Sequence, residues 1–295
     1  MSPDRPAHAY LVGLIGTGVT PSLTPPLHMA EAAALGIPYV YRPIDMSELE
    51  LSPDDLGDIL SWCERLGFDA VNVTHPCKQR VIEHLDRVDS TAAALGAVNT
   101  VLFTPEGRVG YNTDTTGFEQ AFATGMPGVA LGRVTQLGAG GAGSAVADAL
   151  LRLGVRHLTI IDLDPMRAGE LAAQLAERHA ARVEIAGTED LPAALAVSDG
   201  VVHCTPTGMA EHPGMPFAAE LLRPDLWVAD IVYRPLVTEL LSAARDAGCV
   251  TLDGGRMAVH QAVDAFELIT GRRPDPQRMI REFHDLVSGP EILAR

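Results

Sequence analysis

Two hydrophobic periods take turns along this chain. Short runs rich in Val, Ile and Leu, at residues 10–15, 40–44, 68–73, 134–137, 158–161, 183–185, 200–204 and 227–231, predict buried strands. Between them, residues 27–35, 76–85, 144–153, 165–179, 191–197 and 238–247 carry the three-to-four spacing of helices. Turn and cap residues fall where these segments should end. Gly36 closes the first helix. Ser52-Pro53-Asp54-Asp55 opens another, with a capping hydroxyl, a proline at the first helical position and carboxylates at the positive end of the dipole; that helix stops at Gly67. Residues 98–103 and 108–111 read as a hairpin around Pro105-Glu106-Gly107. A helix begins near Thr115, and the chain closes with helical patterns over 256–270 and 275–287. Strand and helix in alternation predict an α/β fold whose parallel sheet is covered on both faces.

The 295 residues fit one large or two medium domains, a second unit beginning ahead of the helix near Thr115, which the Gly125-Met126-Pro127-Gly128 connection follows. A formal charge of -16 argues against nucleic acid and against anionic membranes as partners. A small anionic substrate would then need a local patch of donors. Cys63, Cys77, Cys204 and Cys249 form neither a CxxC pair nor a Cys/His metal spacing, and read as free thiols of a reducing cytoplasm. Cys77, beside Lys78, is the one candidate for an exposed thiol near a site. The opening residues lack a signal-peptide pattern, and no segment approaches a membrane span.

Gly138-Ala139-Gly140-Gly141-Ala142-Gly143 gives G-x-G-x-x-G directly after a predicted strand and before a predicted helix. There the glycines permit a tight turn and close approach of the backbone to a pyrophosphate at the helix N-terminus. Residues 13–18 also carry alternating glycines, but Thr20-Pro21-Ser22-Leu23-Thr24-Pro25-Pro26 cannot open a helix at once, and that stretch is rejected as a dinucleotide loop. About twenty residues beyond the true candidate, Asp162 ends a strand, where a carboxylate binds the ribose hydroxyls of NAD. Asp162 and Asp164 would repel the extra phosphate of NADP, although Arg167 is near enough to receive one. NAD is the expected cofactor, in preference to NADP.

Polar residues gather where strands should end: Ser22 and Thr24, Asn72 and Thr74 with Lys78, Asn99, and Asn112 with Asp114. Oxidation of a secondary alcohol needs a group that takes the hydroxyl proton as hydride leaves the carbon. A lysine oriented by a carboxylate can do this, and Lys78 with Asp114 is the candidate pair. An isolated lysine at a helix start is more often a solvated surface group. There is no nucleophile elbow for hydrolysis and no HExxH-type metal spacing. His75 reads as a turn histidine facing solvent, His260 as orienting its helix, and Met209 and Met257 as possible core fillers.

Taken in order, Ser22-x-Thr24, Asn72-Val73-Thr74-x-Pro76-x-Lys78, Gly96-Ala97-Val98-Asn99-Thr100, Gly110-Tyr111-Asn112-Thr113-Asp114, the glycine loop, Thr205-Pro206-Thr207-Gly208-Met209 and His260-Gln261-Ala262 closely resemble the shikimate dehydrogenase family. The resemblance covers nearly the whole chain. It implies a Rossmann NAD-binding domain over residues 115–254, and a discontinuous α/β substrate-binding domain from residues 1–114 and 255–295. It implies catalysis by Lys78 and Asp114, a carboxylate site at Ser22 and Thr24, and ring hydroxyls held by Thr74, Asn99 and Gln261, with Asn72 and Tyr233 close by. Thr205, Pro206, Thr207, Met209, Val232, Gly254 and Met257 would line the nicotinamide side.

Two departures refine this. Ser-x-Ser is usual at the carboxylate site of the biosynthetic enzymes, where this chain has Ser22-Leu23-Thr24. An Asn-Arg-Thr stretch is usual where it has Asp162-Leu163-Asp164. Both look like the NAD-dependent quinate/shikimate dehydrogenases of actinobacterial type. The expected reaction is reversible oxidation of quinate or shikimate to the 3-dehydro acid, by a monomer or homodimer acting on a small hydroaromatic acid. The alternatives are a biosynthetic NADP-dependent shikimate dehydrogenase, an aminoshikimate-pathway dehydrogenase, and, in another class, a non-catalytic NAD(H)-sensing regulator.

Overall fold

The computed structural model describes residues 8–288; residues 1–7 and 289–295, which the expected substrate domain includes, lie outside the described residues. The chain divides into two compact units, one built from residues up to Thr113 and from Gln261 onward, the other from Asp114 to His260.

The first unit holds β1 (Tyr10–Gly16), α1 (Thr24–Ala34), β2 (Tyr39–Asp45), α2 (Leu56–Arg65), β3 (Ala70–Val73), β4 (Arg87–Val88), α3 (Ser90–Leu95), β5 (Thr100–Thr104) and β6 (Gly107–Tyr111). Its sheet runs β2-β1-β3-β5-β6-β4. β1 pairs in parallel with β2 and β3, whereas β5 runs antiparallel to both β3 and β6. The sheet is therefore mixed, and its antiparallel β5–β6 pair is the hairpin expected over 98–103 and 108–111. A tight Pro105-Glu106-Gly107 connection leaves β6 no room to cross over, so the hairpin forces the antiparallel step. Both faces are covered. Ile15, Leu56, Leu60, Val71 and Val98 share one cluster, while Val12, Leu14, Tyr41 and Ala70 share another with Ile269. Alternate residues of one strand thus serve two cores.

The second unit holds α4 (Asp114–Gly125), β7 (Arg133–Leu137), α5 (Gly141–Arg152), β8 (His157–Ile161), α6 (Pro165–Arg178), β9 (Arg182–Ala186), α7 (Leu191–Ala196), β10 (Gly200–His203), β11 (Trp227–Asp230), α8 (Glu239–Asp246) and β12 (Thr251–Leu252). α9 (Gly254–Thr270) begins here and ends in the first unit, which α10 (Pro276–Ser288) completes. The sheet order is β12-β11-β10-β7-β8-β9, and every pairing is parallel. Its faces bury Val134 and Val202 on one side and Leu137 and Val201 on the other.

Three differences from the sequence reading have identifiable causes. The helix expected over 76–85 is a series of turns ending in a 3-10 helix, Arg80–His84. The carbonyl of Lys78 accepts from Val98 N–H (2.8 Å), so it is not available to the helical ladder. α1 begins at Thr24, three residues early, because Pro25 and Pro26 sit in its first turn, where a missing N–H costs nothing. β4 and β12, each of two residues, and the short α3 are too brief to carry a period.

Candidate active site

In the first unit, topology gathers polar residues at one edge of the sheet. β1, β3 and β6 all end there, and antiparallel β5 begins there. The loop after β1 carries Ser22 and leads into Thr24. The loop after β3 carries Thr74 and Lys78, and Asn99 stands just ahead of β5. Backbone bonds lock these loops side by side: Thr17 N–H to His75 O (3.1 Å), Thr74 N–H to Ile15 O (2.9 Å) and Val73 N–H to Asn99 O (2.8 Å).

Asp45, at the end of β2, braces the first loop by accepting from Gly18 N–H and Thr20 N–H, each at 2.9 Å, and from the Ser47 hydroxyl at 2.6 Å. Burial alone would raise its carboxyl, but these donors outweigh it and hold it well below the ordinary carboxylate value. Ser22 and Thr24 are half-buried beyond it, and Ser22 Oγ accepts from Thr24 N–H (3.3 Å).

A buried amide network lies behind Asn99. Its Oδ1 accepts from Thr113 N–H and from the Thr100 hydroxyl, and its Nδ2 donates to Thr113 Oγ1, all at 3.0 Å. The Thr113 hydroxyl in turn lies 3.5 Å from Gln261 Oε1. Asn72 gives both amide protons inward, to Thr100 Oγ1 (2.9 Å) and Asn99 O (3.2 Å), and accepts from Tyr41 (2.5 Å). Asn112 donates to Ala97 O (3.0 Å). Each such bond contributes about 1 kcal/mol, and each orphaned partner would cost about 1–3 kcal/mol.

Lys78 is half-buried. His75 is exposed in its turn, whereas Cys77 is buried, its Sγ 3.4 Å from Met46 Sδ, and burial raises its thiol against the opposing pull of Arg80. The possibility of an exposed thiol there is thereby corrected. All four cysteines are free.

The second unit carries the other half of the candidate residues. Gly138 follows β7 with φ +100°, and a Cβ there would fall 2.7 Å from Cys204 O. A Cβ on Gly143 would fall 2.4 Å from Gly138 O. Only glycine fits either place, because a Cβ would strike neighbouring backbone, and the missing side chains let the turn close tightly against β10 and α5. Gly140 caps α5.

Asp162, directly after β8, is woven into this loop. Its Oδ2 accepts from Ala139 N–H (2.7 Å), and its Oδ1 accepts from Asp164 N–H and Arg167 Nη2, each at 2.8 Å. Burial acts to raise its carboxyl, but these donors and the Arg167 charge hold it below the ordinary value. Asp164 caps α6, accepting from Met166 and Arg167 N–H.

On the other side of β7, the loop after β10 carries Thr205, Pro206, Thr207 and Met209, and closes on itself through Gly208 N–H to His212 O (2.6 Å). Val232 is buried after β11, and the bare α-carbon of Gly254 packs on the Ile231–Val232 backbone. Met257 lies in the unit's main core with Phe118 and Leu252, while Met209 is exposed. Tyr233 follows Val232, and burial raises its hydroxyl against the pull of Arg234. Asp114 opens α4 and is buried. Both ring nitrogens of His260 are buried without a hydrogen-bond partner.

Sequence reasoning missed the residues that hold these groups from behind: Tyr41, Asp45 and Thr100 in the first unit, Gln136, His203 and Asp230 in the second. All sit inside apolar strand patterns, and the only signal is a polar residue at a buried register position. Among the described residues no cluster of ligands could hold a metal ion, and no helix is long and apolar enough to cross a membrane.

A parallel sheet whose order reverses between β7 and β10, with a glycine turn at β7 and a carboxylate at β8, defines a dinucleotide-binding α/β protein. Comparison with known proteins narrows the class. A model of the shikimate dehydrogenase substrate binding domain matches residues 14–101, and one of the shikimate 5'-dehydrogenase C-terminal domain matches residues 255–282. A shikimate dehydrogenase (NADP(+)) of Streptomyces avermitilis is 56% identical over 94% of this chain and 96% of its own length. A quinate/shikimate dehydrogenase (NAD(+)) of Corynebacterium glutamicum is 47% identical over 94% and 99%. A solved structure of quinate dehydrogenase from Corynebacterium glutamicum in complex with NAD is similar with a TM-score of 0.89 at 47% identity, covering 94% of this chain and 99% of that one. The chain belongs to the shikimate dehydrogenase family and is an oxidoreductase.

Proposed function

We propose that this protein catalyses the reversible, NAD-dependent oxidation of a ring hydroxyl of quinate or shikimate to the 3-dehydro acid. The first unit takes the acid and the second takes the dinucleotide. The observation that carries the reading is Asp162: a half-buried carboxylate, held below the ordinary carboxylate value by its donors and tied to Ala139 N–H of the glycine loop at 2.7 Å. At the end of the second strand of a Rossmann sheet, such a group accepts from both ribose hydroxyls and repels a phosphate in their place.

Gly138, Gly140 and Gly143 would hold the pyrophosphate at the start of α5. The dinucleotide, when bound, supplies the hydride acceptor. Ser22 and Thr24 bind the substrate carboxylate through their hydroxyls. Thr74, Asn99 and Gln261 hold ring hydroxyls. Asn72, whose amide protons are both used inside the protein, sets the position of Asn99. Lys78 takes the proton of the reacting hydroxyl as its carbon loses hydride, and returns it in the reverse direction, with Asp114 orienting the ammonium.

A second reading, a biosynthetic NADP-dependent shikimate dehydrogenase, is supported by the names of relatives at 56% and 53% identity and by Arg167 beside Asp162. Steady-state reduction of NAD and NADP, each with quinate and with shikimate, separates the two. Turnover with NAD on either acid, and little with NADP, supports the proposal. Efficient turnover of shikimate alone, with NADP alone, overturns it.

A further inference from the structure

His203, the last residue of β10, is fully buried and makes two hydrogen bonds, one to the end of β11 and one to the loop that follows β10. Its Nδ1 lies 2.9 Å from Asp230 Oδ1, and its Nε2 lies 2.5 Å from Thr205 Oγ1. Asp230, the last residue of β11 and directly opposite His203 in register, is as deeply buried. Its Oδ1 also accepts from Val232 N–H (3.0 Å), and its Oδ2 accepts from the Thr238 hydroxyl (2.7 Å). Thr238 caps α8 with the same oxygen, accepting from Leu241 N–H (3.2 Å). The network therefore joins the loop after β10, the turn after β11 and the start of α8.

The pattern of donors gives the network a direction. With Asp230 accepting at both oxygens, the ring donates through Nδ1, and Nε2 is left to accept the Thr205 hydroxyl proton. Thr205 Oγ1 is then free to accept from Thr207 N–H (3.4 Å), which sets the turn of that loop. Thr205 also abuts the glycine turn, for its Cγ2 lies 3.1 Å from the place a Cβ would take on Gly138.

The sheet order decides which half of a dinucleotide these loops would meet. The adenosine half would lie over β8, at Asp162, and the pyrophosphate would cross at β7. The other half must continue over β10 and β11, on the far side of the reversal. Those are the two strands whose exits His203 and Asp230 hold.

We infer that His203 is a positioning residue for the nicotinamide half of the cofactor site, acting through Thr205 and Asp230 and touching neither reactant. This rests on the dinucleotide reading of the second unit.

The test compares two probes on the whole protein: NADH, read by its fluorescence, and ADP-ribose, which lacks the nicotinamide ring, read by calorimetry. His203→Asn keeps a donor for Asp230 but cannot reach Thr205. Thr205→Val removes the hydroxyl at constant shape, and Thr205→Ser restores it. The expected result is NADH affinity lowered on the order of tenfold in His203→Asn and in Thr205→Val, the loss of one buried hydrogen bond and the looseness that follows. ADP-ribose affinity should stay within about twofold, the double variant should be no weaker than either single one, and Thr205→Ser should bind NADH as the parent does. Parallel loss of both ligands would overturn the inference in favour of a merely structural residue, and NADH affinity unchanged in either single variant would overturn it outright. Binding of neither probe by the parent protein would instead sink the dinucleotide reading beneath it.

Discussion

Asp162→Asn removes one charge and one acceptor oxygen while keeping the side chain's shape. Three donors converge on the carboxylate: Ala139 N–H on Oδ2, and Asp164 N–H with Arg167 on Oδ1, at 2.7, 2.8 and 2.8 Å. An amide offers one acceptor oxygen, which the two donors at Oδ1 will claim, so Ala139 N–H loses its partner. That orphan lowers folding stability by about 1–3 kcal/mol. A charge-assisted hydrogen bond to a ribose hydroxyl contributes about 1.5–3 kcal/mol, so kcat/KM for NAD should fall roughly 10- to 150-fold. For NADP the sign reverses. A phosphate charge roughly 6 Å from the carboxylate is repelled by about 3 kcal/mol at an effective dielectric of about 20, and the substitution removes that barrier while releasing Arg167. Together the NAD/NADP preference should fall by on the order of 10³- to 10⁴-fold. Initial rates with saturating quinate and varied NAD or NADP measure the ratio. A change of less than about threefold would refute the assignment of Asp162 to the ribose.

Lys78→Met should lower kcat by about 10²–10⁴-fold while leaving NADH binding unchanged, since the proton acceptor is lost and the dinucleotide loop is untouched; full turnover would remove Lys78 from the mechanism. Gly143→Ala places a methyl 2.4 Å from Gly138 O, so NADH affinity should drop at least about tenfold, with about 1–3 kcal/mol lost on urea unfolding. Arg278 donates to both carboxylate oxygens of the buried Glu31, at 2.7 and 2.6 Å, and ties α10 to α1. Arg278→Leu should therefore cost about 3 kcal/mol on urea unfolding, and Glu31→Gln in the same chain should recover part of it. Burial of His28 among Tyr39, Tyr41 and Phe266 lowers its imidazole from 6.5 to about 3. Between those values the unfolded chain binds the extra proton and the folded one does not. Stability from this group is thus complete above pH 6.5 and declines as pH falls toward 3, by up to about 1.4 kcal/mol per unit. The melting temperature of the parent should fall relative to that of His28→Phe on descent through that window, and a constant difference would refute the effect.

The dinucleotide half was the more legible part of the chain. A glycine turn makes its demand within six consecutive residues, and Gly138, Gly143 and Asp162 announce themselves by type and spacing alone. The substrate half was legible as a set of polar residues at strand ends, because topology carries strand ends to one edge. What joins them was not. Asn72 reads from sequence like Asn99, yet its amide protons both point inward, a distinction made by Tyr41 and Thr100 thirty-one and twenty-eight residues away. The segment after Pro76 has helical spacing, but one long-range bond, Val98 N–H to Lys78 O, diverts it. Local pattern predicts what a segment can do alone, and long-range hydrogen bonding decides among the choices left open.

Gln136, fully buried in β7, donates to the carbonyls of Gly138 and Gly143, each at 2.8 Å, and so stitches the two ends of the glycine loop together. Restricting a residue's backbone costs about 1–2 kcal/mol of conformational entropy. Here that cost is met while the protein folds and is absent when a ligand arrives. The cradle is a preorganised receptor, and its association with a dinucleotide should be fast and free of an ordering step.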